Sequence, residues 1–518
     1  MNGQMLPVGS LYQDRLRDES RLCGSAATIS FPAGQEEVRQ QMEWLAAQKI
    51  PVTVQGARTG ICGAAVPRGG HILDLGKLDR VLGLRGGPET GLVLEVQPGV
   101  SLSIIREGLS RGAFPGEGWD ETSRETAKAL RSGPVKWRLA PDPTEETATI
   151  GGLFCCNAKG PNARRYGTVG DHVTEVTVVL ADGRCWEIPR GRFRFRQGGC
   201  PLPDGGRLEL GELPACPPVS RPLFPYEGMD LVDLFAGSEG MLGVVTRLAL
   251  QLSPAPAQSW GVLFFFSDED QPVQFALQAG AAALEGASLT AGEFYDGASL
   301  RQIQKQKDLS SRLKELPDIP PYAGAAVYLE LEGEEEEGME EALLLLSELF
   351  AGCGGREEDT WAACGPGELE KLRLLRHTAP ESANHAIDEA RRQEGGITKL
   401  CADIAFPPER LEEWSLRYRR DIRESGIPGV VFGHILEGHL HVNLLPATLE
   451  EHRQGQGMIE GWCAAAVAQG GRVADENGIG KQKRDWFLGS VTPEQLEAAR
   501  KIKAFFDPEG LLNPGNML

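Results

Sequence analysis

Hydrophobic and polar positions follow two periods along this chain, and the period changes at a few places. In "QEEVRQQMEWLAAQ", from Gln35 to Gln48, Val38, Met42 and Leu45 recur at helical spacing and predict a surface helix with one buried side. "PVTVQG" then alternates as a strand. "HILDL", "LVLEVQPGV", "VTEVTVVLADGRCWEI" and "GVVTRLALQL" read as short strands between Gly-rich turns, so the region to about Ser253 is α+β and dense in strands. Within it, Arg190 to Gly228 is rich in Pro, Gly and Arg and holds no period. It reads as a surface excursion: a lid, a docking segment, or an insertion without a role. From Trp260 onward "GVLFFF" and "AAVYLELEG" predict central strands. "VQFALQAGAAALEG" and "GMEEALLLLSELFAG" predict helices packed on them, which makes a second α/β domain. The run "EGEEEEGMEE" reads as a solvated turn entering a helix, where carboxylates suit the positive end of the dipole.

Length and composition set limits on this picture. A chain of 518 residues exceeds one small core and predicts several domains, or one large domain with a cap. A net charge of -20 argues against nucleic acid and anionic membranes, which demand a basic face. A small anionic substrate needs only a local positive pocket. The 11 Cys contain no Cys-x-x-Cys, so neither a disulfide framework nor a zinc ribbon nor an iron–sulfur site is expected. Cys155 and Cys156 read as small buried residues, and a reducing cytoplasm fits. No signal peptide is evident, and no apolar run reaches the ~20 residues of a membrane helix. Membrane association would have to come through a partner.

Three Gly-rich segments carry the first chemical signal. "QGARTGICGAAVP" follows a strand, with Gly56, Gly60 and Gly63 spaced 4 and 3. That spacing fails the Rossmann fingerprint, and no Gly-Lys-Ser/Thr follows. The loop offers successive backbone N–H groups and Thr59, which suit a pyrophosphate; read alone, a tight turn explains it equally well. "LAPDPTEETATIGGLFCCNAKGPNARRYGTVGDHVTEVTVVLADG" (Leu139 to Gly183) and "DLFAGSEGMLGVVT" (Asp233 to Thr246) are the second and third segments.

In this order the three segments resemble the FAD-binding domain of the vanillyl-alcohol-oxidase/p-cresol-methylhydroxylase superfamily. The nearest branch is that of glycolate oxidase, D-lactate dehydrogenase and D-2-hydroxyglutarate dehydrogenase. Its motifs match Gly56 to Pro67, Pro141-Asp142-Pro143, Thr149-Ile150-Gly151-Gly152, Asn157-Ala158, Arg165-Tyr166-Gly167 and Gly237 to Gly243, and the ending "FDPEGLLNPGNML" is also similar. The resemblance implies a two-subdomain FAD-binding domain over residues 1–253, with the insertion 190–228. It also implies a cap over 254–460 and a C-terminal segment, 461–518, returning to the flavin domain. By resemblance the FAD pyrophosphate lies on Gly56, Ala57, Arg58, Thr59 and Gly60 and on Gly151 and Gly152, with Asn157, Gly237, Ser238, Glu239 and Gly240 nearby. Gly63, Pro141, Asp142, Ile150, Tyr166, Gly167, Gly243 and Asn513 complete the implied set. Some relatives bind FAD covalently through His or Cys. The first loop here has no His, and Cys62 stands where relatives carry Ser, so noncovalent FAD is expected, with a Cys62 linkage as the alternative.

The remaining signal is "GHILEGHLHVN", which holds three of the chain's 8 His. If "HLHVN" is extended, His439, His441 and Asn443 share one face, either solvated or burying imidazoles that need partners. By resemblance His434 and His441 are metal ligands, and Glu476 of "ADENGIGKQKR" is the third. The implied ion is a divalent Zn, Mn or Fe, with open positions for a 2-hydroxy acid. Relatives carry the proposed catalytic His where this chain has Asn477, and Asn where it has His439. The exchange suggests that the base moved to His439 with Asn477 as a neutral partner, since an amide cannot take a proton; loss of the base is the alternative. Leu436 replaces a small residue and adds bulk near the site. Arg376, with Arg373 close by, and Lys399, together with Asp403, match the branch's substrate-binding positions.

The resemblance thus implies an FAD-dependent dehydrogenase that removes a hydroxyl proton and passes a Cα hydride to flavin N5. An iron–sulfur subunit, an electron-transfer flavoprotein or a quinone would then take the electrons. A non-catalytic electron-transfer subunit, an oxygen-using oxidase and a metal-dependent hydrolase are the rival readings.

Overall fold

The structure, a computed structural model, describes residues 5–87, 89–213, 223–316 and 318–518. The chain divides into two compact units. The first comprises Met1–Gly160, Gly167–Ala255 and Glu476–Leu518; the second comprises Pro161–Tyr166 and Pro256–Asp475. The helix Leu449–Ala468 and the strand Arg472–Val473 therefore stay with the second unit, and the chain returns to the first at Glu476.

Two sheets and a helix form the core of the first unit. The smaller sheet has the strand order Leu6–Pro7, Thr28–Ser30, His71–Asp74, Val52–Gln55, and its last three strands are parallel. The larger, antiparallel sheet runs Val81–Gly87, Gly91–Val96, Val244–Pro254, Val173–Val179, Cys185–Pro189. The predicted first helix spans Gln35–Ala47 and buries Val38, Met42 and Leu45. These side chains meet Val52 and Leu73 of the small sheet and Val179 and Val244 of the large one. Helical spacing in the sequence thus becomes the contact that joins the sheets.

The C-terminus is part of this core. Val52 N–H donates to Leu511 O and Asn513 N–H to Val52 O, each at 2.8 Å. The partly buried Lys503 ammonium donates to Met241 O, Leu512 O and Asp507. The 190–228 excursion is described except for residues 214–222, so part of the expected docking segment lies outside the described residues. The described part forms a hairpin, Gly199–Pro201 with Arg207–Glu209. Arg190 ties its start to Asp233, Val173 O and Gly170 O at 2.7 Å each.

The second unit is built on one antiparallel sheet of eight strands. Their order is Thr360–Ala363, Gln258–Phe266, Ala325–Gly333, Ala287–Asp296, Gly429–His434, His439–Leu444, Leu400–Ala405, Arg472–Val473. Its two faces differ. Phe264 and Phe266 point to one side, against Phe275 and Phe350 of the helices Gln271–Ala281 and Glu336–Gly352. Phe265 points to the other side, where Leu263, Tyr295, Tyr328 and Phe432 pack under Leu369, Leu372, Leu375, Ala379 and Ala383 of the long helix Pro366–Gln393. Two-residue alternation in "FFF" sorts these rings.

One buried polar group sets a pH limit on the first unit. His71 is fully buried on the small sheet. Its Nε2 and Nδ1 lie 2.8 Å from the hydroxyls of Ser30 and Thr28. Ser30 donates its hydroxyl proton to Gln41 Oε1, so it accepts from Nε2–H, and Thr28 donates to Nδ1. This arrangement serves the neutral ring, and burial pulls the pKa down to about 4. The unfolded chain takes up the proton near pH 6.5, so this contribution is complete above pH 6.5 and is lost as pH falls towards 4. We expect urea unfolding to show roughly 3 kcal/mol less stability at pH 4 than at pH 7 from this residue. His71→Gln should flatten that dependence; an unchanged slope would exclude His71 as its source.

Candidate active site

The glycine segments of the first unit converge around the short helix Ile150–Cys156. A Cβ on Gly56 would lie 2.3 Å from Thr149 Oγ1, and one on Gly151 would lie 2.5 Å from Pro98 Cβ. Only glycine permits these approaches. Gly237 N–H donates to Phe154 O, and Glu239 N–H donates to Cys155 O at 2.8 Å. Gly60 faces open space, with nothing within 4 Å of where its Cβ would be. Bare backbone at Gly56 to Gly60 beside Gly151-Gly152 fits a diphosphate that approaches closely.

Other residues of the implied cofactor set hold the loops. Asp142 pairs with Arg106. Asn157 takes the left-handed conformation after the helix, and its Oδ1 accepts from Gly170 N–H. Ser238 donates to Phe235 O, and Gly243 packs where a Cβ would meet Val178. Asn513 accepts from Val54 N–H and donates to Glu239 O. Tyr166 belongs to the second unit, where its hydroxyl donates to Glu332.

The segment carrying Glu476 and Asn477 is clamped by those loops, a feature the sequence reading missed. The buried Glu239 carboxylate accepts from Ile479 N–H at 2.6 Å and from Gly480 N–H at 2.9 Å. The Cys62 thiol donates to Asn477 O at 3.0 Å and the Cys156 thiol to Glu476 O at 3.9 Å. Cys62 O in turn accepts from Lys481 N–H and Gln482 N–H. Gly480 is required here, since its Cβ would lie 2.1 Å from Cys62 O. Burial raises the Glu239 pKa, against the lowering effect of its backbone donors and of Lys481. Burial lowers Lys481 to about 8.

The histidines stand on the central strands of the second unit. His434 ends the strand Gly429–His434, and His439 and His441 lie two apart on the next. Phe432 pairs with His441, so His434, His439 and His441 all face one side. Their ring centroids are 4.5 Å (His439–His441), 5.6 Å (His434–His441) and 5.7 Å (His434–His439) apart. His434 Nδ1 lies 2.8 Å from Glu293 Oε1, and His439 Nε2 lies 2.7 Å from Asp403 Oδ1. Both carboxylates come from adjacent strands: Glu293 is opposite His434, and Asp403 is opposite His441. Glu476 follows three residues after the edge strand Arg472–Val473. One ligand atom from each of His434, His439 and His441 lies within 4.8 Å of the other two. Three imidazoles at that spacing suit a divalent transition ion.

Leu436 does not add bulk on this face. Its side chain packs on Gly292 and Gly280, and Gly292 points away from the Glu293 side. Arg164 reinforces that turn by donating to Leu436 O and Gly280 O. Arg376 is buried in the helix Pro366–Gln393. Burial pushes the Tyr295 and Tyr328 phenols well above the usual range, and the Arg376 charge pulls both partly back. Arg376 thus acts on the imidazole-bearing side of the sheet. Arg373 is engaged with the buried Glu330. Lys399 is buried and donates to Asn384 Oδ1 at 2.8 Å.

Comparison with known proteins agrees with this layout. Residues 256–517 match the family described as FAD linked oxidases, C-terminal domain, and residues 26–121 and 112–188 match an FAD binding domain. The chain belongs to the FAD-linked oxidases; it is an FAD-dependent oxidoreductase with the fold its motifs imply. It is 26% identical to a D-lactate dehydrogenase of Anaerostipes hadrus, over 99% of this chain and 94% of the relative. It is 25% identical to the D-2-hydroxyglutarate dehydrogenase of Stutzerimonas stutzeri (strain A1501), over 95% of this chain and 90% of the relative. For glycolate oxidase subunit GlcD of Bacillus subtilis (strain 168) the figures are 25%, 94% and 88%. Among solved structures, a 4-ethylphenol oxidase from Gulosibacter chungangensis shares the fold with a TM-score of 0.67 at 16% identity, covering 99% of this chain and 94% of that one.

Glu239→Gln tests the clamp. The amide would turn a donor towards the N–H groups of Ile479 and Gly480, so we expect a loss of about 2–4 kcal/mol in unfolding free energy of the FAD-loaded protein. An unchanged melting temperature would contradict a holding role for the carboxylate.

Proposed function

We propose that this protein oxidises a small D-2-hydroxy acid to its 2-oxo acid and passes the electrons to a separate acceptor. The carrying observation is the convergence of His434, His439 and His441 on one face of the second unit's sheet, with Arg376 and Lys399 buried in the same unit. A 2-hydroxy acid presents a carboxylate and a hydroxyl on adjacent carbons. His434, His441 and Glu476 would hold a divalent ion, which polarises such a hydroxyl when bound. FAD, when bound, would supply the two-electron acceptor for the Cα hydride, and His439, held by Asp403, would take the hydroxyl proton in the same oxidation.

The protein's part is binding and orientation. Arg376 and Lys399 face a substrate carboxylate with cationic donors, which suits a molecule of net charge -20 that has to attract an anion locally. The engagement of Arg373 with Glu330 supports Arg376 as the anchor. Asn477 offers a neutral amide and takes no proton. Gly56 to Gly60 and Gly151-Gly152 would carry the diphosphate of noncovalent FAD; the hydrogen bond from the Cys62 thiol to Asn477 O favours this over a Cys62 linkage. The D-lactate and D-2-hydroxyglutarate dehydrogenases among the relatives support the substrate class.

The electrons go on to an iron–sulfur partner, an electron-transfer flavoprotein or a quinone, because the chain has no iron–sulfur motif of its own. No helix among the described residues is long and apolar enough to cross a membrane. The described cysteines are free thiols, which fits a cytoplasmic location.

Anaerobic addition of D- and L-2-hydroxy acids to the purified protein tests the reading. We expect one D-acid to bleach the oxidised flavin band while its L-isomer does not. Arg376→Met should cost roughly 100-fold in reduction efficiency, mainly as weaker substrate binding. A full flavin band that survives the whole panel would refute the proposed activity.

A further inference from the structure

The Tyr295 hydroxyl is buried between the sheet of the second unit and the helix Pro366–Gln393, and it has no hydrogen-bond partner among the described residues. We propose that this hydroxyl is a second donor to the substrate carboxylate that Arg376 anchors. The inference rests on the substrate class proposed above and adds a specific contact to it.

Strand register places the residue. Tyr295 and Glu293 lie two apart on the strand Ala287–Asp296 and so share a face. Glu293 is opposite His434, and Tyr295 is opposite Phe432, which in turn is opposite His441. The Phe432 and His441 rings lie 5.8 Å apart between centroids. Tyr295 therefore stands on the histidine-bearing face, two strands from His441, with one apolar ring between them.

The helix brings a cation to the same layer. Leu372, Arg376, Ala379 and Ala383 follow one another at helical spacing and form one stripe. Leu372, Ala379 and Ala383 pack in the cluster that contains Tyr295, Tyr328 and Phe432. Arg376, buried between them on that stripe, faces the same cluster. Its charge acts on both phenols.

The two tyrosines differ in how their hydroxyls are used. Tyr328 donates to Glu330 at 2.7 Å, and Glu330 also accepts from Arg373. Tyr295 is buried to the same degree, yet its hydroxyl takes part in no such network. An unpaired buried hydroxyl is destabilising, and phenylalanine would fill the same space without that cost. An acceptor supplied by a ligand removes the conflict. A phenol O–H beside a guanidinium presents donors and no negative charge, which suits an anion. A carboxylate has two oxygens and can take the guanidinium and the phenol together. Phe432, Leu375 and Ala379 make the surroundings apolar, which strengthens both bonds.

The test is Tyr295→Phe in the FAD-loaded protein, with Tyr328→Phe as the control. Melting temperature is measured with and without oxalate, an unreactive analogue of a 2-hydroxy acid. Stopped-flow flavin reduction by the most effective D-2-hydroxy acid gives an apparent Kd and a limiting rate. Tyr295→Phe should keep or raise the melting temperature of the oxalate-free protein and lose most of the stabilisation by oxalate. Its apparent Kd should weaken by about 10-fold or more, while the limiting rate changes by less than about threefold. In an Arg376→Met background the same substitution should weaken Kd by less than about threefold, because the two donors hold one carboxylate. Tyr328→Phe should lower the melting temperature and leave Kd within about threefold of wild type. An unchanged Kd in Tyr295→Phe, with wild type reduced by the acid, would overturn the Tyr295 contact and leave the substrate class standing. So would a lowered melting temperature with a Kd loss that persists in full in the Arg376→Met background, which would make the hydroxyl structural. A wild type that no D-acid bleaches and oxalate does not stabilise would overturn the substrate class, and the Tyr295 contact with it.

Discussion

The second unit depends on burying ionisable groups in the middle of a sheet. Imidazoles and carboxylates taken out of water are destabilising unless each meets a partner of matching geometry. Here the pairs Glu293–His434 and Asp403–His439 lie between adjacent strands, at 2.8 Å and 2.7 Å. Each pair exists only in one register. A slip of one residue would turn His439 and His441 to the opposite face, where phenylalanines pack. The polar cluster therefore specifies the strand pairing as strictly as the apolar core does, and the pairing in turn fixes where the histidines converge.

The first unit meets a comparable demand with backbone. Its glycine segments approach one another where side chains would collide, and its polar anchors are used to hold loops. Glu239 stands in a motif implied to bind cofactor, yet its carboxylate receives the N–H groups of Ile479 and Gly480. Cys62 and Cys156 hold the carbonyls of Asn477 and Glu476. The loops that present open backbone at Gly60 thus also fix the segment that carries Glu476.

Local periodicity made much of this legible. The spacing of Val38, Met42 and Leu45 predicted a helix that forms, and the alternation in "GVLFFF" and "AAVYLELEG" predicted strands that are central. The glycine motifs, together with "GHILEGHLHVN", led to the FAD-linked family and to His434, His439, His441 and Glu476. What the sequence hid depends on long-range pairing. Glu293 lies 141 residues before His434, and nothing local marks it as the partner. Tyr166 sits in a flavin-domain motif but is held in the other unit by Glu332. Leu436 reads as bulk beside the histidines, yet Gly280 and Gly292 leave it room on the opposite face. Each of these depends on which strand lies beside which, and periodicity carries no information about that.

On the proposed reading, the histidine group of the second unit holds a cation on which oxidation of the hydroxy acid depends. The direct measurement is flavin reduction after chelation. The protein is stripped of divalent metal with FAD retained, and a reducing D-2-hydroxy acid is added anaerobically before and after zinc or manganese is restored. The account predicts an intact flavin band in the stripped protein and bleaching once the metal returns. Full-rate bleaching of the metal-free protein would contradict it.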